Sequence, residues 1–334
     1  MIASAKFYKR FPGWERLLLT PVLLVLGLVG LSPFFLTDPI INVHGQAKIE
    51  VTSDLVLLPV NVTDTRGAFV AGLTLQDFRV YEDGQLQKLT VFEEGDTPVT
   101  VGLVVDHSKS MGPKIPDVIT AVSSFAHSSN PQDEMFVVDF NDDVSVELMH
   151  GKAFSNDAKD LGEALRAVSA RGRTALYDAV SEALQHLQYG HLEKKALIII
   201  SDGGDNASHL KYSQILAQAR QSQALIYSIG LVGSNEAEEN PGLLRRLCKD
   251  AGGIAYFPQE GEPVAKVSTE IARDLREQYT LGYTPQNMKR ADVFRKVEVK
   301  VTAPDHGKLR VRTRQGYSPV AQKQPIAQLG SGTR

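Results

Sequence analysis

Oxygen-bearing side chains follow an apolar run near residue 100 and could bind a divalent cation. Residues 101–105 lead into Asp106, and Ser108 and Ser110 follow at two-residue intervals. In an extended or turning loop, alternate side chains can converge on one point. One carboxylate and two hydroxyls make an oxygen-only ligand set, which suits Mg²⁺, Mn²⁺ or Ca²⁺ rather than Zn²⁺ or Cu⁺.

Two distant segments could complete this ligand set. Thr174 precedes a helical pattern, so it could cap the helix or bind the cation. Asp202 follows the apolar run 198–200 and is followed by two glycines, which permit a tight turn. The candidate metal ligands are therefore Asp106, Ser108, Ser110, Thr174 and Asp202.

Alternating strand and helix patterns predict the elements that position these side chains. The predicted strands are near-continuous apolar runs, as in parallel strands buried on both faces, at 99–105, 135–138, 196–200 and 225–229. The predicted helices lie between and after them, at 116–127, 158–168, 175–187, 212–221 and 241–251. This order predicts an α/β domain over residues 98–278 with a doubly wound, mostly parallel, Rossmann-like sheet. Ligand-binding loops of such sheets lie at the carboxyl ends of the strands.

Both flanks of this region have the period-two pattern of antiparallel strands. In the first flank, Asp83-Gly84 is a hairpin signal. We expect segments 49–97 and 279–318 to form one accessory β-sandwich, with the α/β domain inserted between its halves. Arg310, Arg312 and Arg314 alternate along a predicted strand, and we interpret them as a solvated face.

The N-terminal region predicts a membrane anchor. A basic tail, 1–16, precedes the uncharged stretch 17–36, which is long enough as a helix to cross about 30 Å of hydrocarbon. The basic flank should stay in the cytoplasm, which places the tether 37–48 and everything after it in the periplasm or at the cell surface. A cleaved signal peptide is the alternative, and the protein would then be secreted. Residues 319–334 have the composition of a disordered tail.

Charge and cysteine content argue against nucleic-acid binding and against sites built from cysteines. The net charge of −3 argues against nucleic-acid binding, which requires a basic surface. Cys248 is the sole cysteine, so neither an intrachain disulfide nor a cysteine metal cage can form. We interpret it as a small buried apolar side chain.

Three separated motifs resemble one known type of metal site. D-x-S-x-S at 106–110, G-x-T-x-L at 172–176 and S-D-G at 201–203 resemble the metal-ion-dependent adhesion site of von Willebrand factor A (VWA) domains. The sequence D-F-N at 139–141 is similar to that family's second-strand motif. The resemblance covers about 97–260. With its flanking β segments, the chain resembles the bacterial "VWFA-related" proteins.

This resemblance implies a role for each candidate ligand. Ser108 and Ser110 would bind the cation directly, as would Thr174 in some states, whereas Asp106 and Asp202 would act directly or through water. The implied function is a non-enzymatic, membrane-anchored binding module whose cation engages an Asp or Glu carboxylate of a partner protein in protein–protein interaction or adhesion.

Two other functions stay open at this point. An Mg²⁺-dependent phosphoryl hydrolase also has a strand that ends in Asp, but such enzymes need a second acid two residues later, where this chain has Ser108. They also need a lysine against the phosphate, and the sequence identifies none. A structural envelope protein with a degenerate site is the third possibility, and the intact ligand set argues against it.

Overall fold

The fold is known for the chain segments 55–148, 151–233, 239–259, 261–286 and 293–319, which a computed structural model describes. The predicted basic tail, membrane anchor and tether lie outside the described residues, as does the tail after residue 319. Among the described residues, no helix is both long and apolar enough to cross a membrane.

The described residues form strands and α-helices in the following order. The strands before the first helix are β1 (Val56–Thr63), β2 (Phe78–Glu82), β3 (Gln85–Leu86), β4 (Leu89–Glu94) and β5 (Val99–Asp106). The later strands are β6 (Glu134–Phe140), β7 (Val144–Glu147), β8 (Lys194–Ser201), β9 (Leu225–Gly230), β10 (Ala255–Tyr256), β11 (Tyr279–Tyr283), β12 (Arg295–Val301), β13 (Arg310–Arg312) and β14 (Gly316–Tyr317). The helices are α1 (Ile115–Ser128), α2 (Ala158–Arg166), α3 (Leu176–His186), α4 (Tyr212–Ser222), α5 (Pro241–Ala251) and α6 (Val264–Arg276).

The central sheet is doubly wound, which confirms the predicted fold class. Its strand order is β10-β9-β8-β5-β6-β7, and all neighbours are parallel except the antiparallel pair β6 and β7. Every residue of β5 is buried, as a strand covered on both faces requires. Helices α1, α2 and α6 pack into the core on one face, and α3, α4 and α5 into the core on the other. The carboxyl end of β5 therefore lies where the strand order reverses, between β8 and β6.

The two flanking segments form two antiparallel sheets with one shared core. The strand orders are β13-β1-β11-β4 and β14-β12-β2-β3, so each sheet combines strands from before and after the α/β region. Their buried side chains, including Leu58, Val80 and Leu281, belong to one hydrophobic cluster. The hairpin at Asp83-Gly84 is also confirmed, and both residues have the positive φ that such a turn needs.

The arginines after residue 309 do not form the solvated face that the alternation predicted. Arg310 is exposed, but Arg312 pairs with Asp274 of α6, and Arg314 is 3% exposed. The prediction was wrong for two of the three because the partners that bury them are far away in sequence. Arg312, at the end of β13, and Arg314, just after it, pack toward the α/β region, whereas Arg310 of the same strand meets water.

Candidate metal centre

The first motif lies at the carboxyl end of β5. Asp106 is the last residue of this strand and is fully buried. One of its carboxylate oxygens, Oδ1, accepts a hydrogen bond from the backbone N–H of Ser108 at 2.8 Å. A short 3-10 helix, Lys109–Lys114, then leads directly into α1. The strand and the helix therefore fix the loop that carries both serines.

The third motif meets the first across two neighbouring strands. Ser110 Oγ donates to Asp202 Oδ2 at 2.8 Å, and Ser108 Oγ lies 3.2 Å from Ser110 Oγ. Asp202 follows the end of β8, the strand that pairs with β5. Gly203 needs its positive φ of 86° here, and a Cβ at this position would lie 2.6 Å from the carbonyl oxygen of Asn240. The sequence therefore brings Ser108, Ser110 and Asp202 into one hydrogen-bonded series.

The second motif lies beside the two serines of the first motif. Thr174, Ser108 and Ser110 all line an open cleft of about 470 Å³. Thr174 is not the N-cap of α3, which is Ala175. Its backbone N–H donates to Asn206 Oδ1 at 2.9 Å, and its carbonyl accepts the N–H of Asn206 at 3.0 Å. Thr174 is thus held through its backbone, and its side chain takes no part in capping.

Asp106 lies in a strongly desolvated, negatively charged environment. Burial raises the pKa of Asp106 from 3.8 to about 6, hydrogen bonds from Ser108 and Ser201 oppose that rise, and the charge of Asp202 adds to it. The Ser201 hydroxyl donates to Asp106 Oδ2 at 2.6 Å. A buried carboxylate beside a second negative charge is better accommodated when a cation is bound nearby.

The donor chemistry at this edge of the sheet fits a hard divalent cation. Carboxylate and hydroxyl oxygens are the ligands that Mg²⁺, Mn²⁺ and Ca²⁺ prefer. Among the described residues, no group of three or more His, Cys, Asp or Glu side chains could hold a metal ion. A site here would therefore depend on hydroxyl ligands as well as on Asp106 and Asp202.

Residues other than the five candidate ligands also shape this site. Asn206 lies close to Asp202 in sequence, which suggests a place at the rim, and it lines the cleft and accepts the backbone N–H of Thr174. His107 is fully buried and contacts the carboxylate of Asp139 on β6, which ties the first motif to the second strand. Lys109 and Arg173 are exposed and line the cleft.

Solved structures with a similar chain course come from several bacteria. An aerotolerance-related membrane protein from Bacteroides fragilis is 16% identical, with 53% of this chain and 98% of that chain covered and a TM-score of 0.43. A von Willebrand factor type A protein from Catenulispora acidiphila is 14% identical, covers 74% of each chain and has a TM-score of 0.47. The vWF domain of the pili tip protein Mfa5 from Porphyromonas gingivalis is 14% identical, with 53% of this chain and 95% of that chain covered and a TM-score of 0.44.

The sequence itself matches a family but no individual curated protein. No curated protein is similar to the chain at a significant level. The model of the von Willebrand factor type A domain matches residues 100–269, which is just over half of the 334-residue chain. This match runs from the second residue of β5 into α6 and includes all three motifs of the candidate metal centre, and on this evidence the chain belongs to the von Willebrand factor type A family.

Proposed function

We propose that this chain is a binding module whose cleft holds a divalent cation and engages an Asp or Glu side chain of a partner protein. The observation that carries the proposal is the series of side-chain oxygens from Ser108 through Ser110 to Asp202, which adjoins a cleft that Thr174 also lines. Mg²⁺ is the expected ion, with Mn²⁺ or Ca²⁺ as substitutes.

The candidate ligands have different proposed roles in binding the cation. Ser108, Ser110 and Thr174 would hold the cation directly, and Asp106 and Asp202 would hold it directly or through water. When bound, the cation supplies an electrophilic point at which a carboxylate oxygen can replace water. Both acids are buried, and hydrogen bonds from Ser201 and Ser110 hold them in place.

Positive charge at the mouth of the cleft favours an acidic partner. Lys109 and Arg173 are exposed there. Because Arg173 pairs with Asp142 at 2.9 Å, the net positive charge among the described lining residues comes from Lys109. Exposed cations of this kind raise the rate of encounter with an acidic segment more than the final affinity.

Calorimetric titration of the full chain with Mg²⁺ tests the cation step. Ser110→Ala removes the hydroxyl that joins Ser108 to Asp202, and we expect Mg²⁺ affinity to fall by about tenfold or more. The matched control is Ser213→Ala, which removes an exposed hydroxyl in the first turn of α4. Equal affinities for the wild type and both variants would refute a cation site at these hydroxyls.

Capture of partners from an envelope extract tests the carboxylate step. The immobilised full chain should retain protein in Mg²⁺ and release it in chelator, and the Ser110→Ala variant should retain little. Modification of the extract's carboxyl groups before loading should abolish retention. Retention that persists in chelator, or after that modification, contradicts the mechanism.

The same proposal places the protein outside the cytosol. Residues 17–36 act as the anchor and leave the α/β region in the periplasm or on the cell surface; if the segment is cleaved, the protein is secreted. Alkaline extraction of membranes and protease treatment of intact cells and spheroplasts test this placement. Protection of the α/β region in spheroplasts would contradict it.

Phosphoryl hydrolysis remains the alternative, and the geometry gives it less support. Ser108 occupies the position at which a second acid would be required. We therefore expect no turnover of p-nitrophenyl phosphate by the full chain in Mg²⁺. Turnover that is lost in Asp106→Asn would favour the hydrolase.

A further inference from the structure

A second cleft lies far from the candidate metal centre, between the end of α5 and strands β12 and β13. Its volume is about 520 Å³, and its walls are residues 252–255, 297–299 and 311–315. Arg245 and Lys249 of α5 also line it. It shares no lining residue with the cleft of Ser108 and Ser110.

Arg314 is a buried charge in the wall of this cleft. It is 3% exposed, and its Nη2 donates to the carbonyl of Leu57 and to Gln223 Oε1, both at 2.9 Å. Its Nε and Nη1 have no hydrogen-bond partner among the described residues. Most of the donors of this guanidinium are therefore unused, which is rare for buried polar groups.

No carboxylate neutralises Arg314 within the part of the chain that the structure describes. Its ionisable neighbours are the hydroxyls of Tyr283 and Tyr317, and burial lowers the pKa of Arg314 to about 10. The side chain is therefore still charged at neutral pH. Arg312, two residues earlier, differs because Asp274 pairs with it. A buried charge that lacks a counter-charge is costly, which indicates that an anion completes this site.

The backbone of Arg314 lies close to the backbone at the end of α5. Gly252 ends α5 with a φ of 84°, and a Cβ on it would lie 2.4 Å from the backbone nitrogen of Arg314. A side chain at this position would force the segment that carries Arg314 away from the helix. The sequence therefore holds the arginine against the end of α5.

A narrow gap next to the cleft is also lined by an arginine with an unused hydrogen-bond donor. Arg314 also lines this gap, together with Arg220 and Asp250. The Nε of Arg220 has no partner among the described residues, whereas its Nη2 lies 3.6 Å from Asp250. Two arginines with unused donors thus line one narrow gap, which is too small for a water molecule and has a single carboxylate in its wall.

The entrance to the cleft is also basic. Arg245 and Lys249 are exposed, and the guanidinium of Arg245 lies 4.1 Å from the ring centre of Phe257. Glu298 is the acidic residue of the lining, and Lys300 lies 3.4 Å from it. Since these charges offset each other, the potential at the entrance comes from Arg245 and Lys249.

We propose that this cleft binds a small molecule through a carboxylate or phosphate group, with Arg314 as its principal cation and Arg245 and Lys249 at its entrance. The volume admits a small organic acid or a phosphate ester. Because the free nitrogens of Arg314 have almost no contact with solvent, an anion in the cleft can reach them only if the guanidinium reorients on binding. Guanidinium groups suit both oxyanions.

Calorimetric titration of the full chain with inorganic phosphate and with citrate tests the proposal, in chelator and at constant ionic strength. We expect saturable binding of at least one anion, weakened about tenfold or more in Arg314→Gln. Arg310→Gln is the matched control, because it removes the same charge from an exposed position of the same segment. Binding of phosphate alone assigns the site to phosphate esters, and binding of citrate alone assigns it to organic acids.

Two results would overturn the proposal. One is that neither anion binds at millimolar concentration; the other is that Arg310→Gln and Arg314→Gln weaken binding equally, as general charge screening would. If Arg314→Gln does not fold, the double variant Arg245→Ala/Lys249→Ala decides between the outcomes. It should bind several-fold more weakly, and unchanged affinity would count against the site. Because chelator removes divalent cations, these results do not depend on the candidate metal centre.

Discussion

Removal of the Asp274 carboxylate should destabilise the fold more than any exposed charge on the same helix. Asp274 lies near the end of α6 and pairs with Arg312 of β13. It also accepts hydrogen bonds from the Tyr227 hydroxyl at 2.6 Å and from Asn61 Nδ2 at 3.0 Å. One carboxylate therefore joins α6, the central sheet and two strands of the flanking sheets.

The expected cost follows from the burial of this pair. The side chains of Arg312 and Asp274 are 25% and 15% exposed. Loss of one partner from a fully buried ion pair costs about 3–5 kcal/mol, because a buried charge is left unpaired. With allowance for the partial exposure of Arg312, we expect Asp274→Ala to lower the free energy of unfolding by about 3 kcal/mol.

Equilibrium urea unfolding followed by circular dichroism measures this loss. The control is Arg273→Ala, one position earlier, which breaks a 3.8 Å pair with Glu277 whose side chains are 61% and 44% exposed. A pair this exposed contributes below about 1 kcal/mol. A double-mutant cycle with Arg312→Met should give a coupling energy of more than about 1 kcal/mol. If Asp274→Ala costs no more than Arg273→Ala, the reasoning from burial is wrong.

Three further predictions concern the core. Gly102→Ala in β5 should lower the free energy of unfolding by about 1–3 kcal/mol, because the added Cβ would lie 2.6 Å from side-chain atoms of both Leu197 and Phe136. An unchanged midpoint of urea unfolding would contradict this. The thiol of Cys248 should react with a disulfide reagent in urea but not in the folded chain, since burial raises its pKa to about 12; rapid reaction of the folded chain, followed by absorbance, would refute the prediction. Burial lowers the pKa of Lys194 from 10.5 to about 8, against the opposing charges of nearby acids. The unfolded chain therefore binds more protons between these pH values, and the free energy of unfolding of the wild type should rise across this window by about 3 kcal/mol relative to Lys194→Met. A constant difference between the two proteins from pH 7.5 to 10.5 would count against it.

Local signals in the sequence explain which helices could be predicted. Helix α5 begins and ends at the predicted residues because both ends are marked: Asn240 Oδ1 accepts the N–H of Leu243 at 3.0 Å, and Gly252 ends the helix in the left-handed conformation. Helix α6 was not predicted, although its buried residues recur with helical spacing. Its N-cap is Pro263, which provides no side-chain hydrogen bond. A helix without a marked start is harder to separate from the loop before it.

The arginines show where local patterns stop being informative. Alternation along a strand predicts which side chains share a face, but the face that meets water depends on what packs there. Arg312 and Arg314 meet Asp274 and Gln223, which are 38 and 91 residues away in sequence. Arg310 has the same alternation and is exposed. No property of the three residues themselves distinguishes them.

Ser201 of the S-D-G motif positions the candidate ligands without being one of them. Ser201 donates to Asp106 at 2.6 Å and accepts the N–H of Gly203 at 3.0 Å, so its hydroxyl joins β5 to the turn after β8. The other oxygen of Asp106 accepts the N–H of Ser108, and the two oxygens of Asp202 accept from Gly204 and Ser110. Both carboxylates are therefore oriented by the protein itself. The acids in turn contact the two serines of the cleft. The positions of the serine hydroxyls therefore depend on where strands β5 and β8 end. A substitution at Ser201 would alter that geometry without removing any candidate ligand.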